Sequence, residues 1–100
     1  MEFYYAVYRH GHELMVAVCD EDTIENTFCC SEKGIKLEVK KSFYGKNKGQ
    51  KEEILPHMKD ATILNLVGKE VIEIALEEGL ISEECVLIIG DTVHAQRAKI

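Results

Sequence analysis

Ala61-Thr62-Ile63-Leu64-Asn65-Leu66-Val67-Gly68-Lys69-Glu70-Val71-Ile72-Glu73-Ile74-Ala75-Leu76-Glu77-Glu78 is the longest periodic stretch in the chain. Asn65, Lys69, Glu73 and Glu77 recur every four residues, a polar stripe. Ile63, Leu64, Val67, Val71, Ile74 and Ala75 lie away from it, which predicts one long amphipathic helix over 61–78. Asp60 is placed to cap its start, and Gly79 to close its end with Leu80 folding back on the last turn. Gly68 falls inside this helix, where glycine costs about 1 kcal/mol relative to alanine. Such a glycine usually permits close approach by a neighbouring element.

Outward from that stretch, β-prone runs appear on both sides. Residues 3–9 and 13–19 flank His10-Gly11-His12 and read as a hairpin with Gly11-His12 as the loop, setting Val7 opposite Val16 and Tyr5 opposite Val18. Residues 20–28 read as a short helix that Asp20 or Asp22 can cap. Ser31 to Gly34 is a turn, and Ile35, Leu37 and Val39 alternate with lysine and glutamate as a half-exposed strand. Residues 51–59 look helical but contain Pro56, so that helix either starts near Leu55 or bends there. Val86-Leu87-Ile88-Ile89 is apolar on both faces, as an interior strand is, and Gly90-Asp91 turns it into a returning strand from Thr92. The expected architecture is α+β: antiparallel β-hairpins plus a further strand packed on one long helix and one or two short helices, as a single domain over residues 1–100.

The composition, 46% hydrophobic with one proline, is that of a globular chain. No apolar run reaches the ~20 residues of a membrane-spanning helix, and residues 1–9 lack the basic-then-apolar pattern of a signal peptide. A cytoplasmic location is expected. Four cysteines occur without a C-x-x-C, so they are expected as buried thiols and imply no metal. His10 and His12 on a turn tip are too few for a metal site. Gly45-Lys46-Asn47-Lys48-Gly49 lacks phosphate-loop spacing, and no serine sits in a nucleophile pattern. Nothing implies a cofactor or catalysis.

Charge is segregated along the chain. Lys33 to Lys51 holds seven lysines against one acid, a charge of +6, and with a net charge of −6 the other residues carry −12. Phe43 and Tyr44 sit inside this basic segment. Lysines that neutralise phosphates, beside aromatics that can stack on bases, are the ingredients of an RNA-binding surface. Lys36, Lys40, Lys41, Phe43, Tyr44, Lys46 and Lys48 are therefore the candidate nucleic-acid-binding residues, with 46–48 expected as a mobile loop between Gly45 and Gly49. Lysines are also ordinary on solvated loops, and Phe43 can serve as a simple anchor to the core.

A second constellation lies in the final hairpin. With Gly90-Asp91 as its loop, His94 faces Leu87 and Gln96 faces Cys85, while Thr92, His94 and Gln96 share one side. A histidine and a glutamine two apart can receive a ligand or a base edge, and Tyr44 can join them. They can equally be structural groups bonded to nearby backbone.

Residues 61–68, Glu78-Gly79-Leu80-Ile81, and Val86-Leu87-Ile88-Ile89-Gly90 followed by Val93-His94-Ala95-Gln96, taken together, resemble the archaeal family catalogued as domain of unknown function 424. The resemblance covers most of the chain, including the N-terminal hairpin and Phe43-Tyr44-Gly45; Pro56 departs from the uninterrupted helix the family implies there. It implies an archaeal cytosolic protein and supplies no activity. Three functions are expected: an accessory protein bound to RNA or a ribonucleoprotein of the translation type; a small-ligand-binding domain or enzyme centred on His94 and Gln96; or a homodimeric interaction module joined at an open sheet edge.

Overall fold

A computed structural model describes residues 1–99. Its N-terminal hairpin, β1 (Glu2–His10) and β2 (Glu13–Asp20), has the expected register, Val7 opposite Val16 and Tyr5 opposite Val18. A short 3-10 turn over Glu21–Thr23 leads to a second hairpin, β3 (Thr27–Cys30) and β4 (Ile35–Glu38). The one-turn helix α1 (Lys41–Tyr44) follows, then β5 (Asn47–Gln50), α2 (Lys51–Asp60), β6 (Ile63–Val67), α3 (Lys69–Glu77), β7 (Val86–Ile89) and β8 (Thr92–Ala98). Six strands form one mixed sheet in the order β5-β1-β2-β6-β8-β7; β3 and β4 form a separate two-stranded sheet. All neighbours are antiparallel except β2 and β6.

The fold class is α+β as expected, but the long helix is not there. Its first half is β6, the central strand paired with β2 and β8, and its second half is α3. Ile63-Leu64-Asn65-Leu66-Val67 is apolar on both faces apart from Asn65, which suits a strand buried in mid-sheet. Gly68 marks the break, with φ at 118°, outside helical geometry and open only to glycine. A Cβ there would lie 2.3 Å from the carboxyl carbon of Asp20. The four-residue recurrence of Asn65 with Lys69, Glu73 and Glu77 was coincidence across two elements. Asp60 ends α2 rather than capping a helix at 61. The closing turn does hold: Gly79 takes φ at 69°, its N–H bonds Leu76 O at 3.1 Å, and Leu80 N–H bonds Ala75 O at 2.9 Å.

Four further expectations are corrected. Residues 20–28 are not a helix: Asp20 ends β2, and beyond the 3-10 turn the chain is extended. α2 begins at Lys51 rather than near Leu55, with Pro56 inside it. Residues 47–50 are not a loop but β5, whose ladder to β1 pairs Tyr4 with Lys48 and Phe3 with Gly49. β7 is an edge strand, not an interior one, and leaves Ile88 66% exposed.

The two faces of the sheet are covered differently. Phe3, Tyr5, Val16, Val18, Leu64, Leu66 and Ala95 point to one face and pack against Ile54 and Met58 of α2 and Val71, Ile72 and Ala75 of α3. This is the main core, and it is sealed. Ala17, Cys19 and Val67 point to the other face, where Val39, Tyr44 and the half-buried Ile24, Phe28, Leu37 and Phe43 cover them. That cover comes from one helical turn, the β3–β4 hairpin and their flanking residues, and it leaves Tyr4, Tyr8, Met15, Ile63, Asn65 and His94 only partly buried. Of the cysteines, Cys19 is buried, but Cys29 is exposed and Cys30 and Cys85 are intermediate, so only one is a sealed thiol.

Candidate functional site

Alternation along β1 puts Tyr4, Ala6 and Tyr8 on the partly open face. The α1 turn lies across it. The Tyr8 hydroxyl donates to Phe43 O at 2.6 Å, the two rings stack with centroids 5.3 Å apart, and Phe43 meets Tyr44 edge-on at 4.9 Å. The lysines on either side of that turn come down onto the β1 tyrosines. Lys41 Nζ is 5.9 Å and Lys48 Nζ 5.2 Å from the centre of the Tyr4 ring, and Lys46 Nζ is 6.0 Å from that of Tyr8. Each distance is within the range over which an ammonium feels a ring's negative face.

The seven expected residues do not form one uniform surface. Lys41, Lys46 and Lys48 converge on Tyr4 and Tyr8. Lys36 and Lys40 instead share Glu38, at 3.3 and 3.4 Å, and hydrogen bonding to both ammonium groups holds that carboxyl below its ordinary range. Lys48 is also committed, 2.7 Å from Glu21 and 3.7 Å from Glu2; the bond to Glu21 pushes its ammonium pKa up. These are exposed pairs, weakened by salt and open to exchange with a stronger anion. Among the described residues no carboxylate lies within ion-pair distance of Lys41 or Lys46. Tyr44, expected to stack on bases, is 3% exposed and cannot. Phe43 is half-buried. Tyr4 and Tyr8 are the half-buried rings beside these lysines: the β1–β5 pairing sets Tyr4 opposite Lys48, and the hydroxyl bond to Phe43 O holds Tyr8 against α1.

Tyr44 has a different use. Its hydroxyl donates to Asn65 Oδ1 at 2.7 Å, and His94 Nε2 lies 3.1 Å from the same oxygen. Burial pushes the Tyr44 hydroxyl pKa up and the His94 pKa down, so at neutral pH the tyrosine keeps its proton and the imidazole is uncharged. His94 faces Leu87 across the β7–β8 ladder as expected. Gln96 does not face Cys85, because β7 begins at Val86; its partner is Asn65 on β6. The structure thus brings His94, Gln96 and Tyr44 around Asn65. The single-helix expectation puts Asn65 on a polar helix stripe, away from these groups. A lone amide within an apolar run bounded by Gly68 was the signal for it.

A cleft of about 550 Å³ opens at the carboxyl ends of the parallel pair β2 and β6, lined by Asp20, Glu21, Asp22, Glu70, Asp91 and Thr92 among others. Such a position beside a helix N-terminus commonly takes anions. Here it is filled by the protein itself: Asp20 accepts from the N–H groups of Glu70 and Val71, both at 2.9 Å. Burial nonetheless raises the Asp20 pKa. The acids around it repel phosphate. Among the described residues no three His, Cys, Asp or Glu side chains converge as a metal site would require.

β5 and β7 are the two edge strands of the six-stranded sheet, and β7 is flanked by Glu84 in the preceding 3-10 turn and by Asp91 in the turn to β8.

A family model described as protein of unknown function (DUF424) matches residues 8–100. A solved structure, of an uncharacterized conserved protein from Methanopyrus kandleri, superposes with a TM-score of 0.74 at 19% identity, over 100% of this chain and 95% of that one. No curated protein matches the chain.

Proposed function

The chain belongs to the DUF424 family of proteins of unknown function, and from that premise we propose that it is an accessory binding protein for single-stranded RNA, free or within a ribonucleoprotein, taken along the partly open face of the sheet. The observation that carries this reading is the convergence of Lys41, Lys46 and Lys48 on the rings of Tyr4 and Tyr8. Tyr4 and Tyr8 are four residues apart on one strand, roughly 13 Å at the usual rise. Tyr4 has Lys41 and Lys48 beside its ring, and Tyr8, already stacked on Phe43, has Lys46. Ammonium groups attract the phosphates, and the rings accept any base without sequence preference.

The net charge of −6 and the acidic cleft oppose promiscuous attachment, and confine the attraction to this face. Lys36 and Lys40, tied to Glu38, contribute less than Lys41 and Lys46.

The test is fluorescence anisotropy with labelled tRNA and ribosomal RNA fragments across a salt series. Association that weakens as salt rises is expected, with a shallower slope in the K41E/K46E variant. A chain that binds no RNA at low salt, or a double variant that binds as tightly as the parent, would overturn it.

A further inference from the structure

The hydrogen bonds around Asn65 have a fixed polarity. Asn65 Oδ1 is the sole acceptor for the Tyr44 hydroxyl among the described residues. Turning the amide around would leave that proton without a partner in a buried position. A carbonyl oxygen only accepts, so the neutral His94 ring carries its proton on Nε2, directed at Oδ1. Both lone pairs of Oδ1 are then occupied. Two groups are left over: the Asn65 Nδ2 amide, with two N–H donors, and His94 Nδ1, an acceptor.

Neither of these atoms has a partner among the described residues, and neither is sealed. The one buried side-chain nitrogen or oxygen without a partner there is Arg97 Nε. Gln96 adds an exposed amide directly opposite Asn65, on the same sheet face. Tyr8 is paired with Met15, and Met15 with Ile63, so β2 and β6 connect the tyrosine platform to these polar groups. At about 4.8 Å per strand and about 3.3 Å per residue, two strand spacings and the step from Ile63 to Asn65 put Asn65 roughly 12 Å from Tyr8. A strand of RNA lying over Tyr8 reaches that distance with its next bases.

We propose that Asn65, His94 and Gln96 form a reading site for the edge of an RNA base, with Asn65 donating, His94 Nδ1 accepting, and Tyr44 as a positioning residue that fixes which is which. This rests on the RNA-binding reading and assigns that surface a preference among bases. A base edge carries a donor beside an acceptor, which complements such a set; a bare sugar-phosphate chain carries neither ring group. Oriented pairs of this kind discriminate by about 1–3 kcal/mol per base, or roughly fivefold to more than a hundredfold.

The probes are ribo-oligomers of A, C and U of one length, and an abasic oligomer of the same length. The parent chain is expected to separate its best from its worst base-bearing oligomer by about tenfold. Y44F keeps the ring in place but frees the amide to turn. It is expected to reduce that ratio to about threefold or less, at an unchanged salt slope. Q96A, at an exposed position, gives a second variant that keeps the fold, and it also narrows the ratio. K41E/K46E instead weakens all oligomers together. Equal affinity of the parent for every oligomer, abasic included, overturns the reading site and leaves RNA binding intact. So does an unchanged ratio in both Y44F and Q96A. Absence of binding to any oligomer removes both readings.

Discussion

The two faces of the six-stranded sheet differ in what covers them. On one, α2 and α3 close over Phe3, Val16, Val18, Leu64 and Leu66, all buried to 2% exposure or less. On the other, a single helical turn and a two-stranded hairpin cover Ala17, Cys19 and Val67, and leave a tyrosine–lysine platform and a polar chain partly open. The first face is where burial stabilises the fold; a fully packed side chain there loses both its transfer free energy and its contacts when truncated. The second has its own smaller buried cluster, Ala17, Cys19, Val39, Tyr44 and Val67, with the exposed cations and half-buried hydrogen-bonding groups lying around it.

The largest effect expected on the sealed side is from Gly68→Ala. Alanine strains a φ of 118° and forces the Asp20 carboxylate off the amides of Glu70 and Val71. A loss of about 4 kcal/mol is expected, read from chemical denaturation. Leu66→Ala, in the middle of the core, is expected to cost about 3 kcal/mol by the same measurement.

The alkaline limb of stability sharpens the contrast from beneath the open face. Burial raises the Cys19 thiol from 9.0 to about 11, so between those values the unfolded chain releases a proton that the folded chain holds. The folded state binds more protons there, and stability falls as pH rises through that window. Buried Tyr5, raised to about 12 chiefly by its bond to Glu53, extends the decline upward. Denaturation across pH 8–11 should show Cys19→Ala with the flatter profile (pH range set by the 9.0 and about 11 values). The smallest effect belongs to Lys46→Glu, expected within about 0.5 kcal/mol of the parent in stability while RNA affinity falls. If Lys46→Glu instead destabilised the fold as Leu66→Ala does, the division between the helix-covered face and the proposed binding face would be wrong.

Local chemistry was legible wherever a few adjacent residues settle the backbone. Gly11-His12 between two β-prone runs set the register of the first hairpin, and Gly79 closed the turn after α3, as read from the chain. The basic segment was legible as composition, and its lysines are exposed. The candidate site was legible only in its parts. Lys41, Lys46, His94 and Gln96 could be named, but Tyr4, Tyr8 and Asn65 could not be joined to them, because those neighbours lie on other strands.

Residues 61–78 show the limit most clearly. A run apolar on both faces and followed by a helix produces a helical period by accident, and periodicity alone does not separate a buried strand from a buried helix. The sequence by itself determined the α+β class, the tight turns and the uneven distribution of charge, since these depend on residue type and near neighbours. Tertiary structure decided that Ile63–Val67 pairs as a strand with β2 and β8, and that Asp20 caps a helix fifty residues away. It also decided that Asn65 lies between Tyr44 and His94. Each of these depends on hydrogen bonds and burial between segments distant in the chain, and such interactions override local preference.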